Sequence, residues 1–214
     1  MSIYMTETKD YKKEYKELYL PKATPVIIDI PEISFVAIQG KGNPNEKDGE
    51  YQKALERLYG IQYTIKMSKK GNHVISGYFD YVVPPLEGLW WFNEGENVSA
   101  KSKYNWISLI RLPEFVNEEV FQWACAEVYR KKGIDIRDAK YLKIQEGLCV
   151  QCLHIGSYDS EPGTLQRMEN FCKENDLLID LNDERRHHEI YLSDPRKTDV
   201  SKLKTVLRIP VKKR

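Results

Sequence analysis

The sequence has little of what usually announces a function. No run approaches about 18 consecutive apolar residues, so no segment reads as a transmembrane helix, and Met1–Asp10 lacks the apolar stretch of a signal peptide. An unexported cytoplasmic protein without a membrane partner is therefore expected. Surplus charge is missing too. The 33 basic and 32 acidic side chains leave a net charge of +1, and the one basic cluster, Lys212–Arg214, is a tail rather than a stripe. That argues against a nucleic-acid partner.

Cysteine is scarce, with four in 214 residues. This is too few for a disulfide framework at such length, and free thiols in a reducing compartment are expected. Cys149 and Cys152 form a C-x-x-C inside the strand-like run Leu148–Ile155. Their odd separation sends the sulfurs to opposite faces of a strand, and no second cysteine pair follows, so no metal site is expected. His187-x-Glu189 has no downstream Pro-Cys-x-x-Cys to complete a zinc deaminase signature. Gly40-x-Gly42 lacks the third glycine or the Lys-Ser pair of a phosphate loop. No cofactor is expected.

Aromatic side chains and alternating stretches are present. His187–Leu192 reads as a strand stopped by Pro195. Period-2 geometry places His187, Glu189 and Tyr191 on one face, with His188, Ile190 and Leu192 on the other. An acid beside a ring on a half-buried strand suits a flat or cationic organic molecule. Elsewhere Tyr11, Tyr15, Leu18 and Tyr19 fall at helical spacing, and Val26–Ile30 and Ile33–Gln39 read as strands separated by Pro31. Tyr51, Ala54, Leu55, Leu58 and Tyr59 mark a helix running through Lys66, with Tyr63 one turn beyond Tyr59. Gly77–Phe92 and Tyr104–Leu112 are extended stretches around a polar loop, Asn93–Lys103. Asn117 caps a helix striped by Phe121, Ala124, Cys125, Val128 and Tyr129 and ended by Gly133. Asp135–Gln145 reads as a linker. Gly147–Gly156, a helix carrying Leu165, Met168, Phe171 and Cys172 behind an N-cap at Ser160, and strands at Glu189–Leu192 and Leu203–Val211 complete the chain.

Strand, helix, strand, strand thus occurs twice. Two echoes accompany the repeat: Ile107-Ser-Leu-Ile-Arg111-Leu-Pro113 against Lys204-Thr-Val-Leu-Arg208-Ile-Pro210, and Val36-Ala-Ile-Gln-Gly-Lys-Gly42 against Val150-Gln-Cys-Leu-His-Ile-Gly156. The expected fold is α+β, with two tandem strand–helix–strand–strand modules related by a pseudo-two-fold axis and antiparallel sheets enclosing a ligand groove at their seam. The expected divisions are an N-terminal extension (1–24), a first module (25–116), a connecting helix and linker (117–146) and a second module (147–214).

Leu18-Tyr-Leu-Pro-Lys22, Gly40-Lys-Gly-Asn-Pro44, Pro85-Leu-Glu-Gly-Leu-Trp90, the run from Gly147 to Asp159, and Glu189-Ile-Tyr-Leu-Ser-Asp-Pro-Arg196 appear in this order. On these passages the chain resembles the GyrI-like small-molecule-binding proteins, relatives of the effector-binding halves of multidrug-sensing activators. The resemblance implies paired modules enclosing a ligand groove, with an acid on a late strand, here Glu189. It also points to a free-standing branch that includes enzymes opening the cyclopropane of DNA-alkylating natural products in an aromatic cage. Carried over on the matching passages, Glu87 and Trp90 join Glu189 in the site, with Tyr63, Tyr158 and Tyr191 as its rings.

The partner expected is an aromatic, cationic or electrophilic small molecule such as a xenobiotic. In the hydrolytic reading Glu189 is the general base that draws a proton from water, and Glu87 orients that water or pairs with developing positive charge. His154, two places after Cys152, is assigned either to the core or to a proton shuttle in the groove. A protein-interacting adaptor or topoisomerase inhibitor is the alternative, and monomer and dimer both remain open.

Overall fold

The structure is a computed structural model that describes residues 8–71, 73–93 and 104–214. Its strands are β1 (Val26–Lys41), β2 (Leu86–Trp91), β3 (Asn105–Arg111), β4 (Lys140–Ile155), β5 (Leu177–Ile179), β6 (His187–Tyr191) and β7 (Lys204–Lys213). Its helices are α1 (Tyr11–Glu14), α2 (Lys16–Tyr19), α3 (Glu50–Lys66), α4 (Glu118–Lys132) and α5 (Glu161–Glu174). The strands pair antiparallel in the order β4-β1-β3-β2-β6-β7, and β7 returns to β4, closing a barrel. The short β5 adds to the far end of β7. The mixed α and β architecture expected from the sequence is found. No helix among the described residues is long and apolar enough to cross a membrane.

The order β1-α3-β2-β3 recurs as β4-α5-β6-β7 with β5 inserted, and the adjacency β1–β3–β2 recurs as β4–β7–β6. The echoing residues take matching places. Gly42 and Gly156 both have positive φ, +122° and +136°, where each long strand turns off toward its helix, a conformation a side chain disfavours. Arg111 and Arg208 are both buried.

Several element boundaries differ from the sequence reading. Val26–Lys41 is one strand that runs through Pro31. β3 reaches only as far as Phe35, and the ladder with β4 skips Pro31, so the residue that cannot donate is left out of the pairing on both sides. The expected linker is largely strand, since β4 begins at Lys140 and pairs with β1 from there. Gly77–Phe92 is regular only from Leu86. Of the polar loop, 94–103 lies outside the described residues. Within the expected N-terminal extension, Tyr11, Leu18 and Tyr19 pack into the barrel core. The helix expectation at Asn117 holds: its Oδ1 accepts from Val120 N at 2.9 Å, and Gly133 ends α4 in the left-handed region.

Directly paired residues share a face, so register assigns each side chain. Phe35, Ala37, Leu89, Leu109, Ile190 and Val206 point into the barrel with α1 and α2. Val36, Ile38, Trp106 and Ile110 point outward beneath α3 and α4. Val150, Cys152, Leu207 and Ile209 point outward beneath α5. Cys149 belongs to the interior and Cys152 to the α5 side, so the two sulfurs lie on opposite faces as their spacing requires.

The interior also holds charge. His188 sits with Nδ1 2.9 Å from Glu146 Oε1 and Nε2 2.9 Å from Glu87 Oε2. Arg208 Nη1 donates to Glu146 Oε2 at 2.7 Å, and its Nη2 donates to the Leu18 carbonyl at 3.2 Å. The Glu87 approach is off the N–H axis, so charge rather than a hydrogen bond carries that pair. Burial alone raises the Glu146 carboxyl, but His188 and Arg208 outweigh it and bring it to about 2. Burial likewise lowers His188, yet Glu146 and Glu87 raise it to about 9.

Because His188 titrates higher in the folded chain than its ordinary 6.5, its stabilisation is complete below that pH and is lost as pH rises through about 9. Thermal melts of wild type and His188→Gln should differ by roughly 3–5 kcal/mol near neutrality. The two should converge by pH 10, and a pH-independent gap would contradict the cluster's charge assignment.

Candidate functional site

α3 packs on β1 and β3, and α5 on β4 and β5, leaving the outer faces of β2 and β6 as a seam between the helices. Register places three residue pairs there: Leu86 opposite Tyr191, Gly88 opposite Glu189, and Trp90 opposite His187. The alternation expected of His187, Glu189 and Tyr191 is thus observed, with His188 and Ile190 buried on the other face.

The side chains form one hydrogen-bonded row. Trp90 Nε1–H donates to the Tyr191 hydroxyl at 2.9 Å, that hydroxyl donates to Glu189 Oε2 at 2.7 Å, and His187 Nε2 lies 3.2 Å from Glu189 Oε1. Glu189 keeps 15% of its side chain exposed. It is held from both sides, by Tyr191 and His187, yet reachable from solvent. Tyr191 stays protonated because burial, then the Glu189 charge, raises its phenol well above the ordinary range.

Rings flank this row. Tyr51 of α3 lies 5.6 Å from Trp90 between centroids and meets Trp106 edge-on at 5.1 Å, while Tyr158 meets Tyr191 edge-on at 6.0 Å. Burial and the nearby Glu161 and Glu189 push the Tyr158 phenol to about 12. Trp91 points the other way, beneath the Arg186 guanidinium at 4.4 Å, so Trp90 is the tryptophan that faces the seam.

Three expected site residues fall elsewhere. Glu87 pairs directly with Ile190 rather than with Glu189, so it points into the barrel, where it is 2% exposed and meets His188. Period-2 geometry puts it on the wrong face for the seam. His154 is buried with both ring nitrogens engaged, Nδ1 with Thr164 Oγ1 and Nε2 with the Ser157 carbonyl, each at 2.9 Å. It fixes the turn at Tyr158–Ser160 instead of lining the groove. Ser160 follows it there, donating its hydroxyl to Ser157 O rather than capping α5. Tyr63 is half-exposed on the outer flank of α3, in a depression shared with His73 and Trp123.

Two groups near the seam were not expected. Tyr51 was legible only as a helix-face residue. Glu161 opens α5 and is 8% exposed, and its Oε1 has no hydrogen-bond partner among the described residues. An acid in the first turn of a helix reads as an ordinary complement to the dipole, which hides it in sequence.

A model of the GyrI-like small molecule binding domain matches residues 23–212. The chain belongs to the GyrI-like family. An uncharacterised conserved protein from Listeria innocua is 44% identical, with a TM-score of 0.91 over 96% of this chain and 100% of its own. A Listeria innocua protein described as a hydrolase is 45% identical, with a TM-score of 0.88 over the same shares. The C-terminal domain of EcmrR shares only 13% identity, and its TM-score of 0.54 over 89% of this chain and 98% of its own shows the fold alone. None of the curated proteins compared with the chain matches it. As a GyrI-like domain the protein is a small-molecule binder, and the seam is where its polar and aromatic groups converge.

Gly88 is what lets that row close in this GyrI-like chain. A Cβ there would lie 2.6 Å from Trp90 Nε1 and 3.2 Å from the Tyr191 hydroxyl. Gly88→Ala should break the Trp90–Tyr191 bond and cost about 1–3 kcal/mol of stability. The indole N–H resonance of Trp90 should shift toward its solvent-exposed position; an unmoved resonance would contradict the geometry.

Proposed function

We propose that the seam is the binding groove for planar aromatic small molecules, cationic or electrophilic, and that it hydrolyses cyclopropane-bearing alkylators with Glu189 as general base. The observation carrying this reading is the Trp90–Tyr191–Glu189–His187 row, an acid fixed among rings at a solvent-reachable face. A cation placed there gains from both the carboxylate and the ring faces. The description of a 45% identical Listeria innocua relative as a hydrolase supports the catalytic half.

Chemically, Glu189 takes a proton from a water as its oxygen attacks the cyclopropane methylene of a conjugated substrate. Tyr191 and His187 keep the carboxylate oriented, and the rings of Trp90, Tyr51 and Tyr158 hold the planar system. Glu87 has no direct part. Its place is behind the sheet, where it helps hold β6 through His188.

A planar cationic dye such as proflavine should quench tryptophan fluorescence, and Glu189→Gln should weaken that binding about tenfold. No quenching would favour the protein-interacting adaptor. With an electrophilic cyclopropane substrate, Glu189→Gln should retain binding and lose at least about a hundredfold in turnover. Unchanged turnover rejects Glu189 as base.

A further inference from the structure

We propose that Glu161 is the proton-bearing acid of the groove, a neutral carboxylic acid that donates its O–H to an acceptor oxygen on the ligand, so that the site selects planar molecules carrying a carbonyl. The proposal rests on the seam being the ligand groove and names the chemistry its occupant needs. Glu161 is the first residue of α5, immediately after the turn that His154 pins. It is more than nine-tenths buried, yet its Oε1 has no partner among the described residues. An orphaned buried carboxyl oxygen is costly and calls for a reason.

Its surroundings supply one. The groups acting on it are Glu189 and Tyr191 from β6 and Tyr158 and Asp159 from the preceding turn. His187 and the Tyr191 hydroxyl are directed at Glu189, and His154 is directed at Thr164, Ser157 and Ser160. Pro162, next in the chain, offers no N–H. Among the described residues, the charged groups acting on Glu161 are therefore acidic. Burial first, then Glu189 and Asp159, push its carboxyl up to about 9. Glu146 is the internal contrast: its side chain is 10% exposed, but it lies between His188 and Arg208 and is brought down to about 2. One buried acid lies between cations; the other has none among the described residues, and in this proposal it keeps its proton.

A neutral carboxyl in a groove is a hydrogen-bond donor. In the ring opening proposed above, water oxygen bonds to the cyclopropane methylene as the adjacent ring C–C bond breaks. The electron pair of that bond moves into the conjugated carbonyl, whose oxygen takes the proton of Glu161, while Glu189 takes the proton lost by water. Water has then added across the broken bond, and proton exchange with solvent restores both acids.

Fluorenone and fluorene test the donor, since they differ by the carbonyl alone. Tryptophan quenching should show wild type preferring fluorenone about tenfold near neutral pH. The preference should fade as pH rises through about 9. Glu161→Gln, whose amide still donates, should keep the preference without the pH dependence. Glu161→Ala should lose it. Equal affinities in wild type, a preference unchanged to pH 10.5, or one surviving in Glu161→Ala overturns the proposal and leaves the groove standing. Binding of neither compound, nor of proflavine, overturns the groove and the proposal together.

Stability offers an independent reading. A carboxyl titrating higher in the folded chain than its ordinary 4.5 makes the fold progressively less stable as pH rises from there through about 9. Glu161→Gln should therefore melt increasingly above wild type across that window. Parallel melting curves would mean that Glu161 is ionised and would overturn the proposal.

Discussion

The placement of the site depends on His188 being locked between Glu87 and Glu146 inside the barrel. A strand of five residues has little apolar surface of its own with which to hold register, and a one-residue slip exchanges its two faces. His188 meets two carboxylates from two other strands, and Arg208 on neighbouring β7 satisfies the second oxygen of Glu146. Two acids and two bases come together in this cluster, and a slip would strand ions in the buried interior. With His188 held inward, His187, Glu189 and Tyr191 have only the outer face. The polar interior thus sets the geometry of the groove without touching it.

Within one small fold, carboxyl groups of the same kind are pushed in opposite directions by what surrounds them. Glu146 is surrounded by cations and Glu161 by acids and phenols. The first belongs to the framework and the second to the proposed groove.

Much of this was legible in the sequence where the deciding interaction is local. Period 2 alone placed Glu189 and Tyr191 together, and sent Cys149 and Cys152 to opposite sides. The cap of Asn117 and the glycine that ends α4 were readable in the same way. What was not legible depends on partners far along the chain. Whether Glu87 shares a face with Glu189 is decided by a pairing offset between strands a hundred residues apart, which no local pattern contains. Pro31 looked like a break because its being left out of the pairing is a property of the sheet. Glu161 looked ordinary because Glu189 and Tyr191, which act on it beside its neighbours Tyr158 and Asp159, come from a strand far along the chain.

The closing strand carries a further consequence. β7 is paired with β4, β6 and β5, and Arg208 on it reaches the carbonyl of Leu18, so contacts spanning 190 positions must form before the barrel is complete. Until β7 leaves the ribosome, β4 and β6 present unpaired edges and the charged cluster lacks its arginine. Such topology folds slowly and late. A nascent chain of this kind would spend its synthesis as an incomplete sheet, dependent on whatever shields open edges in a crowded cell.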